Sequence, residues 1–166
     1  MTGYPLAPLL RVRRLREDAA GAEYAAAGAA LLKARQQVAE GEKALNDAVR
    51  WREEEEERRY RAALFTHMSP KALDAFKAGL AALREKEAAL REELERREKT
   101  AEDAQESRDL AHTRLLRLRR DTEKINAHRQ TWSAGEAREA QRLEDLEMEE
   151  FSGKKRGGED EDEVLI

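Results

Sequence analysis

Stepped by alternating threes and fours, the stretch from Leu73 to Trp132 lands on Leu73, Phe76, Leu80, Leu83, Glu87, Leu90, Leu94, Arg97, Ala101, Ala104, Arg108, Ala111, Leu115, Leu118, Thr122, Ile125, Arg129 and Trp132. Thirteen of these 18 positions are apolar. That spacing is the a/d seam of a coiled coil, held without a slip. A seam of this length needs a second helix to cover it. The pattern therefore predicts an all-α protein built on helix pairing.

The break signals divide the chain. Pro5 and Pro8 precede the first helical pattern, and a proline is tolerated in a first turn. Residues 1–7 read as a lead-in. A first helix is expected over about 8–65, roughly 85–90 Å at 1.5 Å per residue. Thr66-His67-Met68-Ser69-Pro70 is the one strong interior break, with Ser69 as N-cap and Pro70 at the first helical position. The turn is set at 66–69 and a second helix at 70–150. Ser133-Ala134-Gly135 is a weak interruption. Residues 152–166, with glycines and blocks of like charge, read as a disordered acidic tail.

Two long helices joined by a short turn form an antiparallel coiled-coil hairpin. With the turn centred near residue 68, facing residues have numbers that total about 136. Tyr60 then faces Phe76, and Leu31 lies opposite Gln105, beside Ala104. In the first helix the seam reads Leu31, Ala34, Val38, Gly41, Leu45 and Ala48. Upstream, Val12, Leu15, Ala19, Ala22, Ala26 and Ala29 continue it, with a register skip near Leu32. The Ala-rich half of this helix meets Ala101, Ala104 and Ala111, so small faces small. The pairing favours an intramolecular hairpin, a monomer in isolation, over a parallel dimer. The second helix outlasts the first, leaving about residues 130–150 unpaired and Ile125 and Trp132 partly uncovered. An uncovered apolar stripe marks a partner site.

Composition narrows the function classes. Charged residues are 41% of the 166, aromatics 5%, and the net charge is −4 with the signs interspersed. Such a chain makes solvated helices, not an ordinary globular core. It has no cysteine, which removes disulfides and thiolate chemistry and fits a reducing cytoplasm. No apolar run approaches the roughly 20 residues that span a bilayer, and the N-terminus has no signal-peptide pattern. His67, His112 and His128 are scattered, without Cys or carboxylate at ligand spacing, and no glycine-rich phosphate loop occurs. Neither catalytic residues, nor a metal, nor a cofactor is expected. Gly41 reads as close packing of the seam or as local bending.

Two surfaces are candidates for partners. Arg11, Arg13, Arg14 and Arg16 of the first helix fall alongside Arg114, Arg117, Arg119, Arg120 and Lys124 of the second, a basic collar. An acidic protein surface fits it better than nucleic acid, since aromatic interleaving is sparse and net charge is negative. Trp51 sits where the first helix loses its apolar seam, in Arg50–Arg59. It is either an exposed docking anchor or, through a stutter, a cover for Leu83 or the stem of Lys86.

Several pieces resemble one family. Trp51-Arg52 with Glu54-Glu55, then Leu73, Phe76-Lys77 and Leu83-Arg84-Glu85-Lys86-Glu87-Ala88, are similar to the YscO family of type III secretion stalk proteins, related in role to FliJ. So are the opening Leu9–Arg16 and the acidic finish Glu147–Phe151. The resemblance covers about residues 8–151. It implies an antiparallel hairpin like the central stalk of rotary ATPases. One end enters the pore of the hexameric secretion ATPase, and the rod points towards the membrane export gate. Contact with chaperones of secreted translocators is implied as well. Carried onto this chain, Arg11, Arg13, Arg14, Arg16, Arg117, Arg119 and Arg120 are the ATPase-binding candidates. Trp51, Arg52 and Tyr60 are the export-gate or chaperone candidates. The implied location is the bacterial cytoplasm, peripheral to the inner-membrane export apparatus, without insertion into the membrane. The alternative is a structural coiled coil that homo-oligomerises through the seam.

Overall fold

The computed structural model describes residues 3–157, and side chains up to Gly153. Two α-helices form an antiparallel hairpin: α1 (Ala7–Leu64) and α2 (Pro70–Gly157). No strand occurs among the described residues. The acidic tail expected at 152–166 lies outside the described residues from Gly158 on. Its first residues, 152–157, continue α2. A lone Gly153 costs only about 1 kcal/mol, too little to end the helix.

The chain divides into two units, each with its own stretch of both helices. One joins residues 20–115; the other joins the stretch up to Ala19 with the stretch from Leu116 onward.

The 20–115 unit contains the turn. The Ser69 Oγ accepts from the Ala72 amide at 3.2 Å, and Pro70, with no amide hydrogen to satisfy, opens α2. From there the heptad ladder of α2 is the buried face. Of the whole 18-position ladder only Leu73 and Arg129, near its two ends, are exposed. Across it, α1 presents Ala20, Tyr24, Ala27, Leu31, Ala34, Val38, Gly41, Leu45, Ala48, Arg52, Glu55 and Arg59, all buried or half-buried. Each buried leucine contributes about 1.5–3 kcal/mol. The expected register holds: Tyr60 meets Phe76 edge-on at 5.5 Å, and Tyr24 meets His112 at 5.1 Å.

At Gly41 the helices approach closely. A Cβ there would lie 3.2 Å from Leu94 Cδ1 and 3.4 Å from Arg97 Cδ. Of the two sequence readings, close packing is the one observed. The Arg97 guanidinium donates across to the Gln37 carbonyl at 3.0 Å.

One expectation for α1 is corrected. No register skip occurs near Leu32, and Val12, Leu15, Ala19, Ala22, Ala26 and Ala29 are exposed. The buried face instead keeps the Leu31 heptad upstream through Ala27, Tyr24 and Ala20. The reason is visible in the other unit, where the same spacing continues through Glu17, Arg13, Leu10 and Leu6. Two of those four are charged, and each is satisfied from α2. Arg13 pairs with Asp121 at 2.9 Å and Glu17 with Arg119 at 3.5 Å. Leu10 is 4% exposed, and Thr122 is buried with its hydroxyl donated to the Leu118 carbonyl.

Tyr4, in the lead-in, closes the paired part of this unit. Its ring stands 5.5 Å from Trp132 and 5.8 Å from His128, its hydroxyl bonds His128 Nδ1 at 2.8 Å, and it donates to the Ile125 carbonyl at 3.4 Å. Ile125 and Trp132 are accordingly half-buried, and from Ser133 to Gly153 every residue is exposed.

Candidate functional site

Seven of the eight collar arginines, the ATPase-binding candidates, belong to the unit that includes the stretch up to Ala19, and they separate into two groups; Arg114 belongs to the 20–115 unit and pairs with Glu23 at 2.9 Å. Arg13 and Arg119 are spent on the cross-helix ion pairs just described, and Arg14 donates to Asn126 Oδ1 at 3.2 Å. Arg11, Arg16, Arg117 and Arg120 are exposed and have no acidic partner among the described residues. The division follows from heptad position. Side chains on or beside the seam can reach across to α2 or α1. Arg11, Arg117 and Arg120, on the outer positions, meet only water, whereas Arg16 stands beside the seam next to Glu17 and is exposed all the same. A guanidinium that gains nothing from its own fold is free to bind a carboxylate on another molecule.

Trp51, Arg52 and Tyr60 belong to the other unit and do different things. Trp51 lies off the seam, as its register requires, and is 46% exposed. No stutter turns it inward. It nevertheless covers Lys86, whose Nζ stands 5.3 Å from the ring centroid. Tyr60 is half-exposed and packed on Phe76. Arg52 takes the seam position and is engaged within the fold. Its guanidinium bonds Glu87 and, at 3.0 Å, Glu56; Arg91 completes Glu87 at 2.6 Å, and Arg84 completes Glu56 at 3.1 Å. The hydrogen bond to Glu87, more than any other contact, holds the Arg52 pKa above its ordinary value.

This charged layer was not anticipated. The loss of seam expected over Arg50–Arg59 does not occur. The seam continues there through Arg52, Glu55 and Arg59, all half-buried, with Arg52 bonded to the buried Glu87 of α2. The signal was present: the three-four spacing from Ala48 runs straight through Arg52, Glu55 and Arg59, and Glu87 interrupts the α2 ladder opposite. A second unanticipated cluster joins Tyr24, Arg108 and His112. Arg108 donates to the Tyr24 hydroxyl at 3.2 Å, and that bond, first among its causes, raises the Arg108 pKa.

Among the described residues no group of His, Cys, Asp or Glu is arranged to hold a metal ion. No helix there is long and apolar enough to cross a membrane.

The hairpin, with its order of helix, turn and longer helix, is shared by proteins of one family. The profile of the family described as type III secretion protein YscO matches residues 6–154. The chain belongs to the YscO family. The crystal structure of the type III secretion protein YscO from Vibrio parahaemolyticus is similar at 27% identity and a TM-score of 0.76, covering 88% of this chain and 92% of that one. A Chlamydia trachomatis protein described as a YscO homolog shares the fold at 20% identity and a TM-score of 0.79, covering 98% and 100%. No curated protein matches this YscO-family chain in sequence.

Proposed function

We propose that this YscO-family protein is the stalk of a bacterial type III secretion ATPase. In this reading the paired helices up to Ala19 and from Leu116 enter the hexameric ring. The stalk promotes the ring's assembly or activity, links it to the export gate, and has no active site of its own. It works in the cytoplasm at the inner-membrane export apparatus. The observation that carries the reading is the set of four guanidinium groups, Arg11, Arg16, Arg117 and Arg120, that have no acidic partner among the described residues, on a helix pair with no unsatisfied buried side-chain polar atom there. Exposed, solvated charges bind an acidic surface through contacts that are weak one by one and screened by salt. That suits a part that must move against a ring. Trp51 and Tyr60 are the candidate contacts for the export gate or a translocator chaperone. Arg52, the third of these candidates, is held within the seam by Glu87 and Glu56.

Homo-oligomerisation through the seam is disfavoured, because the chain's own α1 covers it.

The test is to mix the purified protein with the secretion ATPase and follow ATP hydrolysis and hexamer formation. Stimulation at substoichiometric stalk is expected. Arg11→Glu, Arg16→Glu, Arg117→Glu and Arg120→Glu together should abolish it while leaving the circular dichroism melt almost unchanged. Stimulation that survives this reversal would remove the collar from the interface. No stimulation by the unaltered protein would remove the stalk role.

A further inference from the structure

α2 carries a second surface that the collar does not use. Beyond Trp132 the heptad spacing continues onto Glu136, Glu139, Leu143, Leu146 and Glu150. Leu143 and Leu146 are therefore seam residues, yet they are 50% and 44% exposed. Met148 and Phe151 beside them are more exposed still. The stretch is strongly acidic. Residues 133–153 hold two arginines against seven carboxylates, a net charge of −5. Between Leu143 and Phe151 there are five carboxylates and no cation.

This end of α2 is poorly held by itself. From residue 138 to 153 the described ion pairing is confined to Arg142 with Glu139, at 2.6 Å. That contact raises the Arg142 pKa and lowers that of Glu139. Against it stand like charges one turn apart: Glu144 with Glu147, Asp145 with Glu149, and Glu147 with Glu150. Such pairs destabilise a helix, and an unpacked helix of about 20 residues is marginal in water.

We infer that residues 133–153 are a docking helix for a second protein that presents an apolar groove rimmed with lysine and arginine. The groove takes Leu143 and Leu146 as anchors, and its cations relieve the carboxylate repulsion. A second copy of this chain is a poor occupant. Two such stretches laid antiparallel about Leu143 and Leu146 would set Glu139 against Glu150 and bring two charges of −5 together. The inference does not depend on the stalk reading, since it concerns neither the collar nor the ATPase.

Hydrogen exchange on the full chain tests it. The probe is a synthetic helical peptide of matching length, with leucine at its heptad a and d positions and lysine and arginine beside them. Its counterpart carries glutamate instead. In the free chain, amides 138–150 should exchange more than about tenfold faster than amides 116–130. The basic peptide should slow them by at least about tenfold, with an effect that weakens as salt rises, and the acidic peptide should not. Leu143→Asp with Leu146→Asp should abolish the slowing while amides 116–130 stay protected. The fourfold collar variant should retain it. Equal protection of the two segments in the free chain, or equal effects of the two peptides, would overturn the inference. So would a dimer in sedimentation that the double Asp variant converts to monomer, since the occupant would then be a second copy.

Discussion

Two stretches of the 20–115 unit use the same heptad spacing in opposite ways. Around Gly41 the seam is small and apolar, and α1 comes close enough that Leu94 nearly touches the backbone. Around Arg52 the seam is charged, and Glu87 is buried among guanidinium groups while Leu80 and Leu83 supply the apolar cover. The contrast separates two demands on a two-helix protein. Apolar layers supply free energy but leave register loosely defined, because one leucine or alanine layer resembles the next. A charged layer adds little stability, since desolvation offsets the Coulomb gain, yet a slip by one heptad would strand both charges. The Gly41 stretch holds the hairpin together, and the Arg52 stretch fixes which residues face which.

The comparison can be broken first at Leu83, which lies in the apolar cover of the charged layer and is 9% exposed. Leu83→Asp loses the buried side chain and adds an unpartnered carboxylate, about 4 kcal/mol or more in all. Helicity should collapse in a circular dichroism melt, and an unchanged melt would sink the packing described here.

Glu87→Ala should lower the melting midpoint by a few degrees, because it leaves Arg52 half-buried with only its own helix's carboxylates. Replacing both partners, Arg52→Leu with Glu87→Leu, should leave the midpoint equal or higher. If the layer specifies register, cysteines introduced at 60 and 76 should crosslink less selectively in that double variant than in the parent. Equal selectivity would assign register to the apolar layers instead.

Gly41→Leu should cost about 1–3 kcal/mol by overpacking against Leu94. Gly28→Ala, where nothing lies within 4 Å of the added methyl, should instead stabilise by about 0.5–1 kcal/mol. Chemical denaturation of the two variants measures both signs.

The smallest expected effect is that of acid. Asp109, chiefly through its hydrogen bond from Gln105, and Glu93, chiefly through Arg96, are held below the ordinary carboxylate range. Groups depressed in the folded state contribute stability that is complete above their unfolded pKa values and is lost as pH falls through the folded ones. The melting midpoint should be flat above about pH 5 and decline below about pH 4. A decline that began near neutrality would point to other groups.

The sequence by itself determined the α2 ladder, the Ser69-Pro70 start of α2 and the facing pair Tyr60–Phe76, because periodicity, capping and antiparallel register are properties of one chain read along its length. It identified the collar arginines by type and position as well. It did not determine which stripe of α1 is buried upstream of Leu31. Val12 and Leu15 make the other stripe look more apolar, and alanine lies on both. Only the tertiary structure supplied Asp121 and Arg119, which turn Arg13 and Glu17 into acceptable seam residues. The same holds for Arg52, charged in the sequence and half-buried in the fold because Glu87 waits across the helix pair. The collar followed the same rule: its arginines were legible along the chain, but which of them remain free was not. A charge can be read from the sequence, whereas its cost depends on what stands opposite, and that is settled only when the helices pack.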